Sequence, residues 1–150
     1  MKYLFISFAV VLLFGSCSYP CGQSEGLRLN FVSFSKQEIY NFSISKYAKG
    51  SNFSNLISTV SFDSARLGID QQNDTIGFYL LSTDLLLPSA FDYKIELPST
   101  NNTYLLTDLQ EPQKTGIKNG QMIYCMNMIE SCKLNGTDVK ISNDQLYLKK

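Results

Sequence analysis

The chain has 150 residues with 13 basic and 13 acidic side chains, and it contains neither histidine nor tryptophan. The absence of histidine excludes Ser-His-Asp and Cys-His catalysis, and it excludes histidine-ligated metal sites. Basic and acidic side chains are equal in number, and the sequence has no cluster of Lys or Arg. The chain therefore lacks the electrostatic footprint of a nucleic-acid-binding protein.

The N-terminus has the pattern of a secretory signal. Lys2 is followed by an apolar run from Leu4 to Phe14, which only Ser7 interrupts. As a helix, this run would cover roughly half of a ~30 Å hydrocarbon core. It is therefore too short for a stable transmembrane span, and we predict a signal peptide over residues 1–16.

The stretch FGSC, residues 14–17, resembles the lipobox of bacterial lipoproteins, in a loose form similar to that of Bacteroidota. The resemblance implies that Cys17 becomes a lipidated N-terminus and that residues 17–26 form a tether to a single domain over 27–150. It also implies an outer-membrane lipoprotein of the cell envelope. Glu25 is the one acidic residue of the tether, which favours the periplasmic face over the cell surface.

Three further cysteines, Cys21, Cys125 and Cys132, permit one disulfide and leave one thiol. Cys125 can pair with Cys132, or Cys21 can pair with either and pin the tether to the domain. If Cys17 is not lipidated, four cysteines allow three pairings, and the alternative is that all are reduced and packed as small apolar residues. The Cys125–Cys132 spacing is not that of a zinc site, so we expect neither a metal nor another cofactor.

The rest of the chain has the pattern of short strands separated by turns. Apolar residues alternate in the stretches 27–34, 39–44 and 91–98, which is the period of a half-buried strand. Further strands are predicted at 75–81, 103–109, 123–134, 137–142 and 145–149. The stretches 91–98 and 103–109 read as a hairpin, and Asn135-Gly136 is typical of a type I′ turn.

About eight or nine short strands with regular turn signals predict an all-β fold, an antiparallel β-sandwich that is immunoglobulin-like or related. A short helix is possible near 50–60, where Phe53, Leu56, Ile57 and Val60 have helical spacing. In a sandwich, five side chains should be buried: Phe31, Phe42, Tyr93, Ile95 and Leu97. We also expect the consecutive leucines 85–87 to fill one end of the core rather than form an exposed binding patch.

Candidate chemistry is sparse. Ser64 and Thr75 lie in triplets that resemble the Asp-Ser/Thr-aliphatic motif of O-glycosylation in Bacteroidota. The stretch 70–74, DQQND, has oxygen ligands for calcium but not the order of a calcium loop, so a solvated turn is the simpler interpretation. Two carboxylate pairs are conceivable for glycoside hydrolysis, and these are Asp92 with Glu96 and Asp108 with Asp84.

Together these observations predict a lipid-anchored envelope module that binds or supports another molecule without catalysis. Its expected partners are the membrane, through the N-terminal lipid, and an envelope protein or a glycan, but no nucleic acid. The alternatives are a carboxylate-dependent envelope hydrolase and a subunit of a surface or fimbrial assembly that exchanges a strand with its neighbour.

Overall fold

A computed structural model describes residues 20–63, 68–79, 85–118 and 121–150. The regular elements in these ranges are strands, apart from a 3-10 turn at Pro98–Thr100. The strands are β1 (Arg28–Val32), β2 (Asn41–Ala48), β3 (Leu56–Asp63), β4 (Gly68–Gln72), β5 (Thr75–Tyr79), β6 (Phe91–Leu97), β7 (Asn102–Gln110), β8 (Ile117–Lys118), β9 (Gln121–Met122), β10 (Ser131–Leu134), β11 (Thr137–Lys140) and β12 (Gln145–Lys149).

Two sheets pack together as a β-sandwich, as the sequence predicts. The small sheet has four strands in the order β12-β1-β5-β4, and the large sheet has six in the order β11-β10-β7-β6-β2-β3. Neighbouring strands within the sheets are antiparallel except for β1 and β12, which run parallel with Arg28 opposite Gln145. β8 and β9 form a separate two-stranded hairpin.

One apolar core fills the space between the sheets. Phe31 and Leu148 of the small sheet and Ile95 of the large sheet are fully buried. The Phe42 ring stacks on Phe62 with centroids 4.9 Å apart and lies 5.7 Å from the Phe31 ring. Each such side chain stabilises the fold by about 1.5–3 kcal/mol through burial.

Several predictions about the core and the turns are confirmed. The five side chains expected in the core are buried: Phe31, Phe42, Tyr93, Ile95 and Leu97. Leu85 and Leu87 are buried as well, so the leucine run contributes to the core.

The predicted hairpin and turn are also present. β6 and β7 form the predicted antiparallel pair. Asn135 and Gly136 join β10 to β11 with φ angles of 51° and 80°, both positive as a type I′ turn requires.

The short helix predicted near 50–60 is wrong. β3 begins at Leu56 and pairs with β2 along its length, with Ser45 Oγ and Thr59 Oγ1 2.9 Å apart. The β-branched side chains of Thr59 and Val60 favour an extended backbone. The ladder to β2 provides the backbone hydrogen bonds of this segment, and it outweighs the helical spacing of the apolar residues.

Two predicted strands begin later than expected. β2 begins at Asn41, so Tyr40 lies in the preceding turn and is exposed, contrary to the predicted alternation. In the predicted strand 123–134, only Ser131–Leu134 is a strand of the large sheet. The residues before it bind the N-terminal segment instead, since the Gly22 N–H donates to the Cys125 carbonyl at 3.0 Å.

Candidate functional site

A polar groove lies on the outer face of the small sheet and has a volume of about 360 Å³. We call it the amide groove, because four of its described lining side chains are amides and none of the described ones is charged. Its lining residues are Asn30, Gln72, Asn73, Thr75, Gly77, Gln145 and Tyr147. Amide and hydroxyl groups both donate and accept hydrogen bonds, so this surface suits an uncharged polar ligand.

The strand register explains why the groove forms. Asn30 lies beside Tyr147 on β12 and beside Gly77 on β5, so these residues form one row across the sheet. Gly77 keeps the row open, because a Cβ atom there would come within 3.0 Å of Asn30 Oδ1. Thr75 and Gln72 pair with each other and lie in the next row on the same face, two residues along.

Tyr147 forms one wall of the amide groove. Its ring is exposed, and its hydroxyl donates to Gln145 Oε1 at 2.7 Å. This hydrogen bond occupies the amide oxygen of Gln145. The amide nitrogen of the same side chain can then donate to a ligand. A flat, exposed phenol ring beside amides provides an apolar face and polar groups together, as small-molecule sites commonly do.

Three of the residues singled out from sequence line the amide groove: Thr75, and Gln72 and Asn73 of the stretch 70–74. That stretch is only in part the expected solvated turn, because β4 extends to Gln72 and the turn itself is Asn73-Asp74. Thr75 is half-buried there, with Oγ1 3.4 Å from Asp74 Oδ1. Its O-glycosylation stays a prediction. Ser64 and Cys17, the other predicted modification sites, lie outside the described residues, and so does Asp84.

A second cavity of about 380 Å³ lies on the outer face of the large sheet. We call it the carboxylate cavity, because it brings together two of the acidic residues considered from sequence. Its lining residues are Lys49, Gly50, Asn52, Asp92, Thr107, Asp108 and Lys133. Glu96 is not among them and forms an ion pair with Lys94 at 2.8 Å, where its carboxylate raises the pKa of the Lys94 ammonium.

Asp92 is the buried member of the carboxylate cavity. It is 2 % exposed because the loop after β2 folds over it, and its Oδ2 accepts a hydrogen bond of 2.7 Å from the Gly50 N–H. Its Oδ1 is buried and has no hydrogen-bond partner within the described part of the chain. Burial, together with the Asp92 charge, raises the pKa of Tyr93, whose hydroxyl donates to the Pro88 carbonyl at 2.8 Å.

Asp108 lies at the rim of the carboxylate cavity, at an irregularity in the pairing of β7 with β10. Its φ angle is +56°, which is uncommon for a residue other than glycine. The Gln110 amide donates to its Oδ1 at 2.6 Å, and Lys133 Nζ lies 3.5 Å from its Oδ2. Both oxygens of Asp108 therefore have a partner at the surface, whereas Asp92 Oδ1 can accept a hydrogen bond from a further donor.

The third feature is the disulfide between Cys21 and Cys125, which is one of the pairings left open by the sequence. Cys132 is free and buried, and burial raises the pKa of its thiol to about 11. The segment around Cys21 is also bound through its backbone, since the Cys21 N–H donates to the Lys114 carbonyl at 2.9 Å. The bridge thus fixes the segment before β1 to the loop between β7 and β10.

Sequence reasoning singled out Gln72, Asn73 and Thr75 but missed Gly77 and the groove residues of β1 and β12. These meet because β1 pairs with β5 and, in parallel, with the C-terminal strand β12. No local pattern encodes that pairing. A Gly in the middle of a predicted strand was the one usable signal, because it often marks a close approach of backbone or ligand.

Within the described ranges, no group of three or more Cys, Asp or Glu side chains is arranged to hold a metal ion. The same residues include no helix with the length and hydropathy needed to cross a membrane. No protein-family model, no curated protein and no solved structure matches this chain.

Proposed function

We propose that this chain is a lipid-anchored cell-envelope protein whose sandwich binds a neutral, hydroxyl-rich ligand, a glycan segment, in the amide groove. The observation that carries the proposal is the groove lining, whose described side chains are amides, a threonine and a tyrosine. Binding without catalysis is part of the same proposal, because amide and hydroxyl side chains can bind a sugar but do not themselves supply the pair of carboxyl groups that glycosidases use.

The hydrogen-bonding capacity of the groove supports a glycan in particular. Sugar hydroxyls donate and accept hydrogen bonds at the same time, and side-chain amides can accept from them and donate to them. The exposed Tyr147 ring provides the apolar face on which the C–H side of a pyranose can pack. None of the lining residues that the structure describes is Lys or Arg, so they offer no positive charge to an anionic ligand.

The envelope location rests on a different set of residues. The lipobox-like stretch 14–17 is the basis for proposing a lipid on Cys17. The proposed location is the periplasmic face of the outer membrane. The Cys21–Cys125 disulfide agrees with an oxidising compartment such as the bacterial periplasm. Two or more acyl chains would make the attachment stable, because each buried CH₂ contributes ~0.8 kcal/mol.

A glycan array tests the groove. The full chain is applied to neutral hexose and N-acetylhexosamine oligosaccharides and to matched sulfated and uronic-acid oligosaccharides. We expect binding to neutral members only, weakened roughly 3- to 10-fold by Asn30→Ala for each net hydrogen bond lost. Gly77→Thr fills the groove without removing a polar group and should abolish binding.

The control for these variants is Tyr40→Ala, which removes an exposed aromatic residue from a turn outside the groove and should bind as wild type does. Equal binding of wild type and Gly77→Thr would overturn the groove as the binding site. Binding restricted to the anionic oligosaccharides would overturn the neutral ligand class.

A second candidate function, hydrolysis, is favoured by one observation, the unpartnered buried oxygen of Asp92 in a cavity that Asp108 also lines. Retaining and inverting glycosidases need two carboxyl groups in one cleft. Incubating the bound oligosaccharide with wild type, Asp92→Asn and Asp108→Asn, and measuring released reducing ends, separates the two functions. A binding module leaves the oligosaccharide intact in all three, whereas release by wild type alone would establish the hydrolase.

A further inference from the structure

Three exposed apolar side chains lie around the hairpin that β8 and β9 form. Ile117 lies in β8 and is 41 % exposed, and Ile123 and Tyr124 directly follow β9 and are 42 % and 90 % exposed. The Ile123 N–H donates to the Gly116 carbonyl at 2.7 Å, so the hairpin is closed at its base. We call these three side chains the apolar tip, because they are exposed and lie within one short segment, and neighbouring exposed apolar groups are a feature of interaction sites.

The apolar tip is bound to the segment that leads to the proposed lipid. Tyr124 directly precedes Cys125, which is bonded to Cys21. Three residues separate Cys21 from Cys17, and an extended chain of that length spans at most about 14 Å. A lipid on Cys17 would therefore hold the disulfide, and the apolar tip beside it, within a short distance of the bilayer surface.

The charge of this segment agrees with a phospholipid surface. Residues 112–129 include Lys114 and Lys118 and no Asp or Glu, although Lys114 forms an ion pair with Glu130 at 2.8 Å. Basic residues beside a bilayer are attracted to anionic headgroups by about 1 kcal/mol each. Tyrosine is enriched at the headgroup level, where its ring meets the acyl boundary and its hydroxyl meets water.

We infer that the apolar tip rests in the interface of the bilayer that holds the lipid anchor, so that this end of the sandwich faces the membrane. The inference depends on the lipid anchor of the proposed function, but not on the ligand of the amide groove. It makes the Cys21–Cys125 bridge an orientation device, because the bridge joins the anchored segment to the loop that contacts lipid.

Tryptophan fluorescence tests this orientation, since the chain has no tryptophan of its own. Lipidated full-length Tyr124→Trp is extracted from bacterial membranes and reconstituted into vesicles of phosphatidylethanolamine and phosphatidylglycerol, with and without brominated acyl chains. Bromolipids should reduce its emission by at least about twofold and shift it to the blue. Ile123→Trp serves as a second reporter if the first variant folds poorly.

The matched control is Tyr40→Trp, at the opposite end of the sandwich. Tyr40 is 46 % exposed and precedes β2, an eight-residue strand that spans about 26 Å. The far end of β2 pairs with the start of β6, and the loop that bears the disulfide leaves β7 at that same end. Bromolipids should leave the emission of Tyr40→Trp unchanged.

Flotation of the vesicles is measured on the same samples, so that loss of the lipid anchor can be distinguished from a wrong orientation of the domain. If both variants float and the emission of Tyr124→Trp is quenched no more than that of Tyr40→Trp, the anchor is kept and the orientation is overturned. Protein that does not float would overturn the anchor, and the orientation would fall with it. Strong quenching of both variants alike would also contradict a single membrane-facing end.

Discussion

Cys21 and Cys125 are bonded across 104 residues of sequence, with their Cα atoms 5.0 Å apart. The bridge ties the first described residues to the loop that precedes β10, and two backbone hydrogen bonds reinforce it, from the Cys21 and Gly22 N–H groups to the Lys114 and Cys125 carbonyls. The N-terminal segment is therefore part of the folded domain from Cys21 onward rather than a free tether.

Removing the bridge should lower the stability markedly. The chain-entropy model gives about 3 to 5 kcal/mol for a loop of this length, so the double variant Cys21→Ser, Cys125→Ser should lose that much free energy of unfolding. Chemical denaturation with and without reductant measures the loss, and the reduced wild type should match the variant. A non-reducing peptide map that instead links Cys125 to Cys132 would contradict the pairing.

Cys132 should be inert in the folded protein. It is buried in the core and its pKa is raised to about 11 because burial disfavours the thiolate. The protein should not react with iodoacetamide at pH 8 until denaturant is added. Rapid alkylation of Cys132 under native conditions, located by peptide mapping, would place the thiol at the surface instead.

Glu38 should make the stability depend on pH in the acid range. Its carboxylate accepts a hydrogen bond of 2.6 Å from Lys150 Nζ and one of 2.9 Å from the Ser35 N–H, and these lower its pKa from 4.5 to about 2. Because the folded-state pKa is depressed, the stabilisation is present above pH 4.5 and is lost as the pH falls from there towards 2.

The measurement for Glu38 compares wild type with Glu38→Gln by chemical denaturation at pH 6, 4 and 2. Wild type should be the more stable at pH 6, and the difference should shrink towards pH 2. High salt should also reduce it, because both partners are at the surface. A difference that stays constant with pH would show that the Glu38 charge has no part in it.

Asp92 should matter for stability through the loop that covers it. Asp92→Ala leaves the Gly50 N–H without its acceptor and should cost about 1 to 3 kcal/mol, whereas Asp92→Asn keeps an acceptor oxygen and should cost less. Glu96→Gln on the same strand is the control and should change stability by less than about 1 kcal/mol, since its ion pair is exposed. Thermal and chemical unfolding of the three variants would decide, and equal stabilities would argue against the hydrogen bond.

Local sequence patterns predicted those strands that have one apolar and one polar face. In β6, the residues Phe91, Tyr93, Ile95 and Leu97 alternate with polar ones, and the fold buries three of them in the core. β3 was missed because its apolar residues do not alternate, and an edge strand with exposed apolar side chains has no clear period. Its identity comes from pairing with β2, which is a tertiary effect.

The amide groove could not be predicted from local sequence patterns either, because it too depends on the pairing of distant strands. Asn30, Gly77 and Tyr147 come from three separate parts of the chain and form one row only after β1 pairs with β12 and β5. The acidic residues were visible in the sequence, but which of them share a cavity depends on the bulge that turns Asp108 toward the loop over Asp92.

The claim on which the cellular location and the membrane-facing end both depend is the lipid on Cys17. The most direct test is the intact mass of the protein extracted from membranes of a bacterial host, before and after reduction. The account predicts a chain that begins at Cys17, carries the mass of its acyl chains, and gains two hydrogens when the Cys21–Cys125 bridge is reduced. A chain without acyl mass, or one that begins elsewhere, would contradict the anchor and make this a secreted domain.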